Sequence, residues 1–346
     1  MSPAQPRVSA FPVVKTPDWR WLPSALEIGD APNCGPLGGG GERRELVVFL
    51  DYDGTLTPIV KDPAKATLSA EMREAVKRLA TTSTVAVVSG RSREKIREFV
   101  SLDELYYAGS HGFDIDGPGG LRHSVSAEII PVLAAAREAL VQDLADVPGA
   151  TVEDNRFAVS VHWRNVDEAR RPAVSGVVDR LLARSPFAGA LKKSMGKCVY
   201  ELKPNVKWDK GEAVLYLLEL LRKRASSFEE YGVGADQEDG DGNRELPPPP
   251  PPPLELDADH FAPESPNGAA VSPSHWYRGI LPVYVGDDTT DEDAFKALKP
   301  FGAVTVLVTP NADRADERPK ATYATHTLKD VDEVNRFLAA LTGAVW

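Results

Sequence analysis

The sequence is poor in cysteine and in positive charge, and it lacks any long hydrophobic run. Its two cysteines, Cys34 and Cys198, are too few and too far apart for a disulfide framework or a cysteine zinc site, which favours a reducing compartment. Acidic residues outnumber lysine and arginine by 51 to 40, and the net charge of -11 argues against a nucleic-acid-binding surface. No apolar stretch approaches the ~18 residues that a membrane span needs. We therefore expect neither nucleic acid nor a membrane as a partner.

The first 17 residues do not decide between the cytoplasm and a plastid. They have no compact apolar core of a signal peptide. They contain Arg7 and Lys15 but no acidic residue, a composition that is also compatible with a transit peptide. We expect a cytoplasmic protein, with a plastid as the alternative.

Five short apolar segments, separated by helical patterns, predict an α/β fold with a doubly wound, parallel, Rossmann-like sheet. β-branched and aromatic residues are frequent in these segments, as is typical of strands that are buried on both faces. The predicted strands begin at Leu46, Thr84, Leu105, Leu281 and Val304.

Residues 116–203 have a different pattern, in which apolar and polar residues alternate along the predicted strands. The alternation is clear in 157–164 and again in 197–203. It indicates an antiparallel sheet with one buried face and one polar face. We predict that 116–203 is a small α+β cap domain, inserted into a core made of residues 46–115 and 204–346.

Two further segments are expected to have little regular structure. Residues 1–45 combine scattered prolines with a run of glycines, and residues 226–278 are acidic and glycine-rich and then proline-rich. The tract Pro247–Pro253 predicts a polyproline II segment within this insert. It is either a ligand for a proline-binding module or a solvated surface loop.

The first predicted strand ends in the acidic motif Asp51-Tyr-Asp-Gly-Thr. If the chain stays extended, Asp51 and Asp53 face the same side of the strand. Two like charges this close raise each other's proton affinity unless a cation lies between them. Gly54 then lets the backbone turn and approach a ligand. The alternative is a strand that ends in a solvated turn.

Polar residues also follow the next strands of the predicted sheet. Ser89–Arg91 follows the second strand, His111 follows the third, and Asp287 and Asp288 follow the fourth. Because the carboxyl ends of parallel strands meet at one edge of a sheet, we expect these residues to gather beside Asp51. Closely spaced carboxylates next to a phosphate site suit Mg²⁺.

A helix is predicted to begin at Lys210 and to end near Arg224. Asp209 and Glu212 form a capping-box pattern, which places Lys210 at the first helical position. A positive charge at this helix end favours an anionic ligand. The alternative is an ordinary solvated lysine.

Together these motifs resemble the haloacid dehalogenase superfamily and, within it, the plant-type trehalose-6-phosphate phosphatase family. The fold that this resemblance implies is again an α/β core with an inserted cap. The similar segments are 51–59, 88–91, 105–112, 208–211 and 285–295.

The resemblance implies a role for each matching residue. Asp51 is expected to be the nucleophile and Asp53 the general acid and base, while Ser89 and Lys210 contact the phosphoryl group. The implied magnesium ligands are Asp51, the carbonyl of Asp53 and Asp287, backed by Asp288 and Asp291. The implied substrate contacts are Gly54, Thr55, Gly90, Arg91, His111, His162, Arg164, Lys197 and Glu201.

The resulting hypothesis is a monomeric enzyme that hydrolyses trehalose 6-phosphate with Mg²⁺, through an aspartyl-phosphate. One alternative is a related capped phosphatase for another sugar phosphate, such as sucrose phosphate. The other is a sugar-phosphate sensor or scaffold that does not turn over its ligand.

Overall fold

The structure, a computed structural model, describes residues 44–60, 62–196, 198–232, 279–309 and 322–344. The predictions for the N-terminal segment, for Lys197 and for the tract Pro247–Pro253 lie outside the described residues.

Twelve strands run through these ranges. They are β1 (Glu45–Leu50), β2 (Thr84–Val88), β3 (Tyr106–Gly109), β4 (Asp114–Gly117), β5 (Leu121–Ser124), β6 (Thr151–Asp154), β7 (Val159–His162), β8 (Leu191–Gly196), β9 (Val199–Pro204), β10 (Ile280–Gly286), β11 (Val304–Val308) and β12 (His326–Leu328). The α-helices are α1 (Ala70–Ala80), α2 (Arg93–Val100), α3 (Ile130–Asp143), α4 (Arg171–Leu182), α5 (Lys210–Gly232), α6 (Asp291–Leu298) and α7 (Val331–Ala344).

The larger sheet has the strand order β12-β11-β10-β1-β2-β3-β4-β5. Its strands from β12 to β3 pair in parallel, and β4 and β5 add an antiparallel edge. The predicted α/β fold is therefore confirmed, with a mixed sheet in place of a wholly parallel one.

Residues 46–50 of strand β1 are all apolar because both faces of the strand are buried. Leu46, Val48 and Leu50 pack into one hydrophobic cluster, together with residues of α1 and α7. Val47 and Phe49 point the other way, into a cluster that contains residues of α5 and α6. Helices cover both faces of the sheet. A strand with alternating apolar and polar residues would therefore bury its polar side chains in one of the two cores.

The smaller sheet has the order β6-β7-β9-β8, with antiparallel pairing throughout. Val159, Val161 and Leu202 pack on the same cluster as residues of α3 and α4, so one face of this sheet is a core. Ser160 and Glu201 lie opposite each other in the register, on the alternate positions. This polar face lines the site described below.

Strand β5 lies in the larger sheet, although the sequence predicted that residues 116–203 belong to the inserted domain. The structure pairs Arg122 of β5 with Asp116 of β4, and Asp116 with Tyr107 of β3, all in the larger sheet. The Gly-Pro-Gly-Gly turn at 117–120 lets the chain reverse at once and extend the sheet it has just left. The division into domains stays a prediction.

Helix α5 is longer than the sequence indicated. It ends at Gly232, within the segment 226–278 that was predicted to be disordered. Its residues after Gly211 include no proline or glycine before Gly232, so no residue type breaks the helix near Arg224. Within the described ranges, no helix combines the length and the hydropathy that a membrane crossing requires.

Candidate active site

Four neighbouring strands of the larger sheet end at one cleft. The order β10-β1-β2-β3 places Asp287, Asp51, Ser89 and His111 after adjacent strands, as the parallel-sheet argument predicts. The polar face of the smaller sheet forms the opposite wall. The predicted site residues that line this cleft are Asp51, Asp53, Ser89, Gly90, Arg91, His111, His162, Arg164, Glu201, Lys210, Asp287 and Asp288.

Asp51 lines the cleft and is almost fully buried. Its backbone N–H donates to the carbonyl of Val285 at 2.9 Å, which ties it to β10. Its Oδ1 accepts a hydrogen bond of 2.7 Å from the Lys210 ammonium. Lys210 has a side chain only 3% exposed, so it is not the solvated helix-end lysine of the alternative interpretation.

Lys210 also donates to Oδ1 of Asp291 at 2.8 Å. Burial alone would lower the pKa of Lys210, but the carboxylates of Asp291 and Asp51 outweigh burial and raise that pKa well above its ordinary value. Lys210 therefore stays charged in the cleft.

Asp291 accepts four hydrogen bonds from the protein. Lys210 and the Tyr284 hydroxyl donate to Oδ1, the latter at 2.7 Å, and the N–H groups of Asp287 and Asp288 donate to Oδ2 at 2.9 and 3.0 Å. The Asp291 carboxylate thus positions both the loop after β10 and the Lys210 ammonium. Tyr284 was not predicted as part of the site, because a tyrosine inside an apolar strand resembles any core aromatic residue.

Gly54 gives the Asp287 carboxylate its space. The backbone of Gly54 has φ of +88°, and a Cβ atom there would collide with the Asp287 carboxylate. The Gly54 N–H donates to the Thr57 carbonyl at 2.7 Å, and Thr55 is fully buried. Neither residue is among those that line the cleft, and their predicted contact with substrate stays a prediction.

The acidic cluster can hold a divalent cation. Within the described ranges, one carboxylate oxygen each from Asp51, Asp287 and Asp291 lie within 4.8 Å of one another. Burial raises the pKa of Asp51 well above its ordinary value, and the charges of Asp291 and Asp287 raise it further against the effect of Lys210. Three carboxylates beside one ammonium leave a surplus of negative charge, which suits a hard cation such as Mg²⁺.

Asp53 is bound by Arg91. The guanidinium donates from Nε to Oδ2 and from Nη2 to Oδ1, each at 2.6 Å, in a bidentate pair. Arg91 lies over the rings of Tyr52 and Phe99, at 5.6 and 5.3 Å from their centroids. The position of the Asp53 carboxylate is therefore set by the motif that follows β2.

His111 connects the core side of the cleft to the smaller sheet. The backbone N–H of His111 donates to the Ser89 carbonyl at 2.8 Å, and the ring Nε2 lies 2.9 Å from Oε1 of Glu201. Burial lowers the pKa of His111. Burial opposes ionisation of Glu201, but His111 and Lys203 outweigh it and lower the pKa of Glu201 to about 2.

Glu153 is a cleft residue that the sequence analysis missed. Its Oε2 lies 2.8 Å from Nε2 of His162, and both side chains line the cleft. Glu153 lies on β6, a four-residue strand that the chain pattern did not reveal. Only the strand register shows that Glu153 belongs to the site. It places Thr151 opposite His162 and Glu153 opposite Ser160.

Comparison with known proteins finds matches along most of the chain. The model of a family described as trehalose-phosphatase matches residues 49–254, a range that contains Asp51 and Lys210 and ends before Asp287. Trehalose-phosphate phosphatase B of Arabidopsis thaliana is 36% identical, over 98% of this chain and 78% of that protein. Probable trehalose-phosphate phosphatase 9 of Oryza sativa subsp. japonica is 39% identical, over 92% and 74%.

Solved structures support the fold. A trehalose-6-phosphate phosphatase related protein superposes with a TM-score of 0.60 at 20% identity, covering 86% of this chain and 97% of that one. The C-terminal domain of C. albicans trehalose-6-phosphate phosphatase gives a TM-score of 0.59 at 21% identity, over 87% and 92% of the two chains.

Proposed function

This chain belongs to the trehalose-phosphatase family, and from that premise we propose that it hydrolyses trehalose 6-phosphate to trehalose and phosphate in trehalose biosynthesis. It is a phosphoric monoester hydrolase. The observation that carries the proposal is a single cleft with two chemically different walls. Asp51 and Lys210 lie on the core side, and polar groups that can bind hydroxyls, such as His162 and Glu201, lie on the other.

The proposed reaction uses the two carboxylates of the first motif. An Asp51 oxygen attacks phosphorus, the bond from phosphorus to the sugar oxygen breaks, and Asp53 donates a proton to that oxygen. Asp53 then takes a proton from the water that attacks the aspartyl-phosphate, which releases phosphate and restores Asp51. Because both Asp53 oxygens accept from Arg91, the acid role requires one of them to leave the guanidinium when the ester is bound.

The charge of the phosphoryl group is balanced in part by residues that are already in place. Lys210 is held charged by two carboxylates and lies 2.7 Å from Oδ1 of Asp51. The Ser89 hydroxyl, which accepts from the Arg91 N–H at 3.2 Å, lies at the same end of the sheet. Preorganised donors of this kind stabilise charge in the transition state without reorganising during the reaction.

The residues present fit a magnesium ion. Asp51, Asp287 and the Asp53 carbonyl would hold it, while Asp291 supports them because its own oxygens accept four hydrogen bonds. When bound, Mg²⁺ supplies charge neutralisation for the phosphoryl oxygens.

The sugar side of the cleft consists of His111, His162, Arg164 and Glu201, with Lys197 as a further predicted contact. Carboxylates accept hydrogen bonds, whereas lysine and arginine only donate them, so such a mixed surface can satisfy sugar hydroxyls in both directions. We expect these groups to distinguish a disaccharide phosphate from smaller esters.

The test is phosphate release from trehalose 6-phosphate, sucrose 6-phosphate and glucose 6-phosphate, each with Mg²⁺ and with a chelator. Selective, Mg²⁺-dependent release from the trehalose ester is the expected result. Preference for another ester would point to a related sugar phosphatase, and binding without release from any of them would point to a sensor.

Substitution Asp51→Asn tests the proposed nucleophile. The amide is a poor nucleophile, so turnover should fall below detection while the cleft keeps its shape and still binds trehalose 6-phosphate. Calorimetric titration of the variant measures binding, and a phosphate assay measures turnover. Phosphate release near the wild-type rate would contradict the assignment.

We also propose a monomer in a reducing compartment, cytoplasm or plastid, whose Pro247–Pro253 tract is a ligand for a proline-binding module. The paucity of cysteine supports the reducing compartment, and the polyproline composition supports the proline-binding module. The monomer is what the family resemblance implies. Cell fractionation tests the compartment, and size-exclusion chromatography of the full chain tests the monomer. A pull-down with the full chain, compared with a chain that lacks the tract, tests the proline-binding module.

A further inference from the structure

Lys95 of helix α2 connects the core to the cleft wall of the smaller sheet without lining the cleft itself. Its ammonium donates to three consecutive residues. It lies 2.9 Å from Oε1 of Glu153, 2.9 Å from the carbonyl of Asp154 and 3.4 Å from Oδ1 of Asn155. The three acceptors of the Lys95 ammonium therefore all lie in one short segment, residues 153–155.

Glu153 links this contact to the cleft. While Oε1 accepts from Lys95, Oε2 lies 2.8 Å from Nε2 of His162. Burial opposes ionisation of Glu153, but hydrogen bonds from His162 and Lys95 outweigh burial and lower its pKa to about 2. Glu153 thus stays ionised, and one of its two oxygens is fixed from outside the cleft.

Neighbouring hydrogen bonds tie the same segment to the phosphate side. The N–H of Ser92 donates to Oδ1 of Asn155 at 3.3 Å, and Asn155 in turn donates to the Ser160 hydroxyl at 3.0 Å. The hydroxyl of Ser110, next to His111, donates to the Asn155 carbonyl. Ser92 directly follows the Ser89–Arg91 motif, so the start of α2 spans the distance between the phosphate side and the sugar side.

We propose that Lys95 is a positioning residue for sugar recognition: it holds the Glu153 and His162 pair at a fixed distance from the phosphate-side motif. This inference rests on the proposed function, because it concerns how the same cleft selects its substrate. The simplest competing explanation is an ordinary ion pair between core and insert that contributes only to stability.

The Lys95 side chain is 37% exposed and that of Glu153 23%, so an ion pair with only a stabilising role would contribute little to the free energy of unfolding. A positioning role predicts a different result, in which the affinity for the sugar ester changes while the chemistry at phosphorus does not. The two explanations are separated by the substrate on which the variant is assayed.

The experiment compares Lys95→Met with the wild type on trehalose 6-phosphate and on p-nitrophenyl phosphate, which has no sugar. We expect KM for the trehalose ester to rise about tenfold, because one charge-assisted hydrogen bond to the cleft carboxylate is lost. The kcat for that ester and the kcat/KM for p-nitrophenyl phosphate should stay within about twofold of wild type. Lys95→Arg, which keeps the charge, should recover most of the affinity.

Lys193→Met is the matched control. Lys193 lies on β8 of the same sheet, and its ammonium donates to Oδ1 of Asp179 at 2.8 Å and to the Ser175 hydroxyl at 2.9 Å. It is less exposed than Lys95, at 21%, but its partners lie away from the cleft. This variant should keep wild-type kinetics on both substrates.

The outcomes separate this inference from the proposed function. If the wild type releases no phosphate from trehalose 6-phosphate, the proposed function fails. If the wild type does, the inference is overturned by a wild-type KM in Lys95→Met, or by an equal loss on both substrates. Should Lys95→Met not fold, Glu153→Gln removes the charge that Lys95 positions and must show the same rise in KM on the trehalose ester alone.

Discussion

Gly54 decides where the Asp287 carboxylate can lie, although it has no side chain of its own. It turns the backbone with a positive φ directly after the Asp51 motif, and its missing Cβ is the space that Asp287 occupies. Glycine is therefore required at this position for two reasons: the backbone has a positive φ, and a Cβ atom would collide with Asp287.

We predict that Gly54→Ala lowers turnover about 100-fold, because the added Cβ displaces a carboxylate that must be placed to within about 1 Å. Gly302→Ala is the control for backbone strain. Gly302 has φ of +64°, but nothing lies within 4 Å of its would-be Cβ. That variant should lose ~1–2 kcal/mol of stability and keep its activity. Equal activity loss in both variants would show that strain alone is responsible.

Helix α2 is the element that connects the parts of the molecule. It begins directly after the Ser89–Arg91 motif, and Arg93 in its first turn points to the antiparallel edge of the larger sheet. The guanidinium donates to Asp114 at 2.9 Å and also to Asp116, and all three side chains are at most 7% exposed. This buried network fixes the helix whose next residues reach the inserted sheet.

We predict that Arg93→Met destabilises the fold by ~2–3 kcal/mol, because it removes a buried guanidinium from two buried carboxylates. Asp114 and Asp116 keep Arg156 and Arg97 as partners, whose side chains are 41% and 40% exposed. Arg222→Met is the comparison on α5, where Arg222 pairs with Glu219 at 2.8 Å on the helix surface. Its loss should cost ~1 kcal/mol or less. Urea unfolding at neutral pH measures both. A similar small loss in both variants would mean that the Arg93 network contributes no more than a surface pair.

At the scale of the whole molecule, the cleft is a negative site within a negative protein. The chain carries a net charge of -11, and Asp51, Asp287 and Asp291 concentrate part of it around one lysine. A phosphate ester would be repelled by such a cluster unless a cation were bound. Magnesium binding and substrate binding should therefore be coupled.

We predict that Mg²⁺ stabilises the folded protein even without substrate, by ~2.7 kcal/mol at a concentration 100-fold above its Kd. Thermal unfolding in Mg²⁺ and in a chelator measures this effect independently of activity. Asp287→Asn should remove most of the shift, whereas Asp103→Asn, at a side chain 91% exposed, should leave it unchanged. An identical shift in all three proteins would place the ion elsewhere.

Much of this molecule could be predicted from local sequence. Apolar runs such as 46–50 predict buried strands because both faces of a doubly wound sheet are cores, and this fold is confirmed. The polar residue after each run, such as Asp51 or Ser89, could be placed at one sheet edge by topology alone. The family, too, was indicated by the order of the motifs and is confirmed by the comparisons.

Only the tertiary structure decided which of these groups contact one another. Lys210 is 159 positions from Asp51 and 81 from Asp291, and no local pattern indicates that one ammonium serves both. The contact of Lys95 with Glu153 spans 58 positions. Sequence patterns report the burial and conformation of each segment, since these depend on neighbouring residues. Pairing of charges depends on how distant segments pack, and it was therefore settled only by the fold.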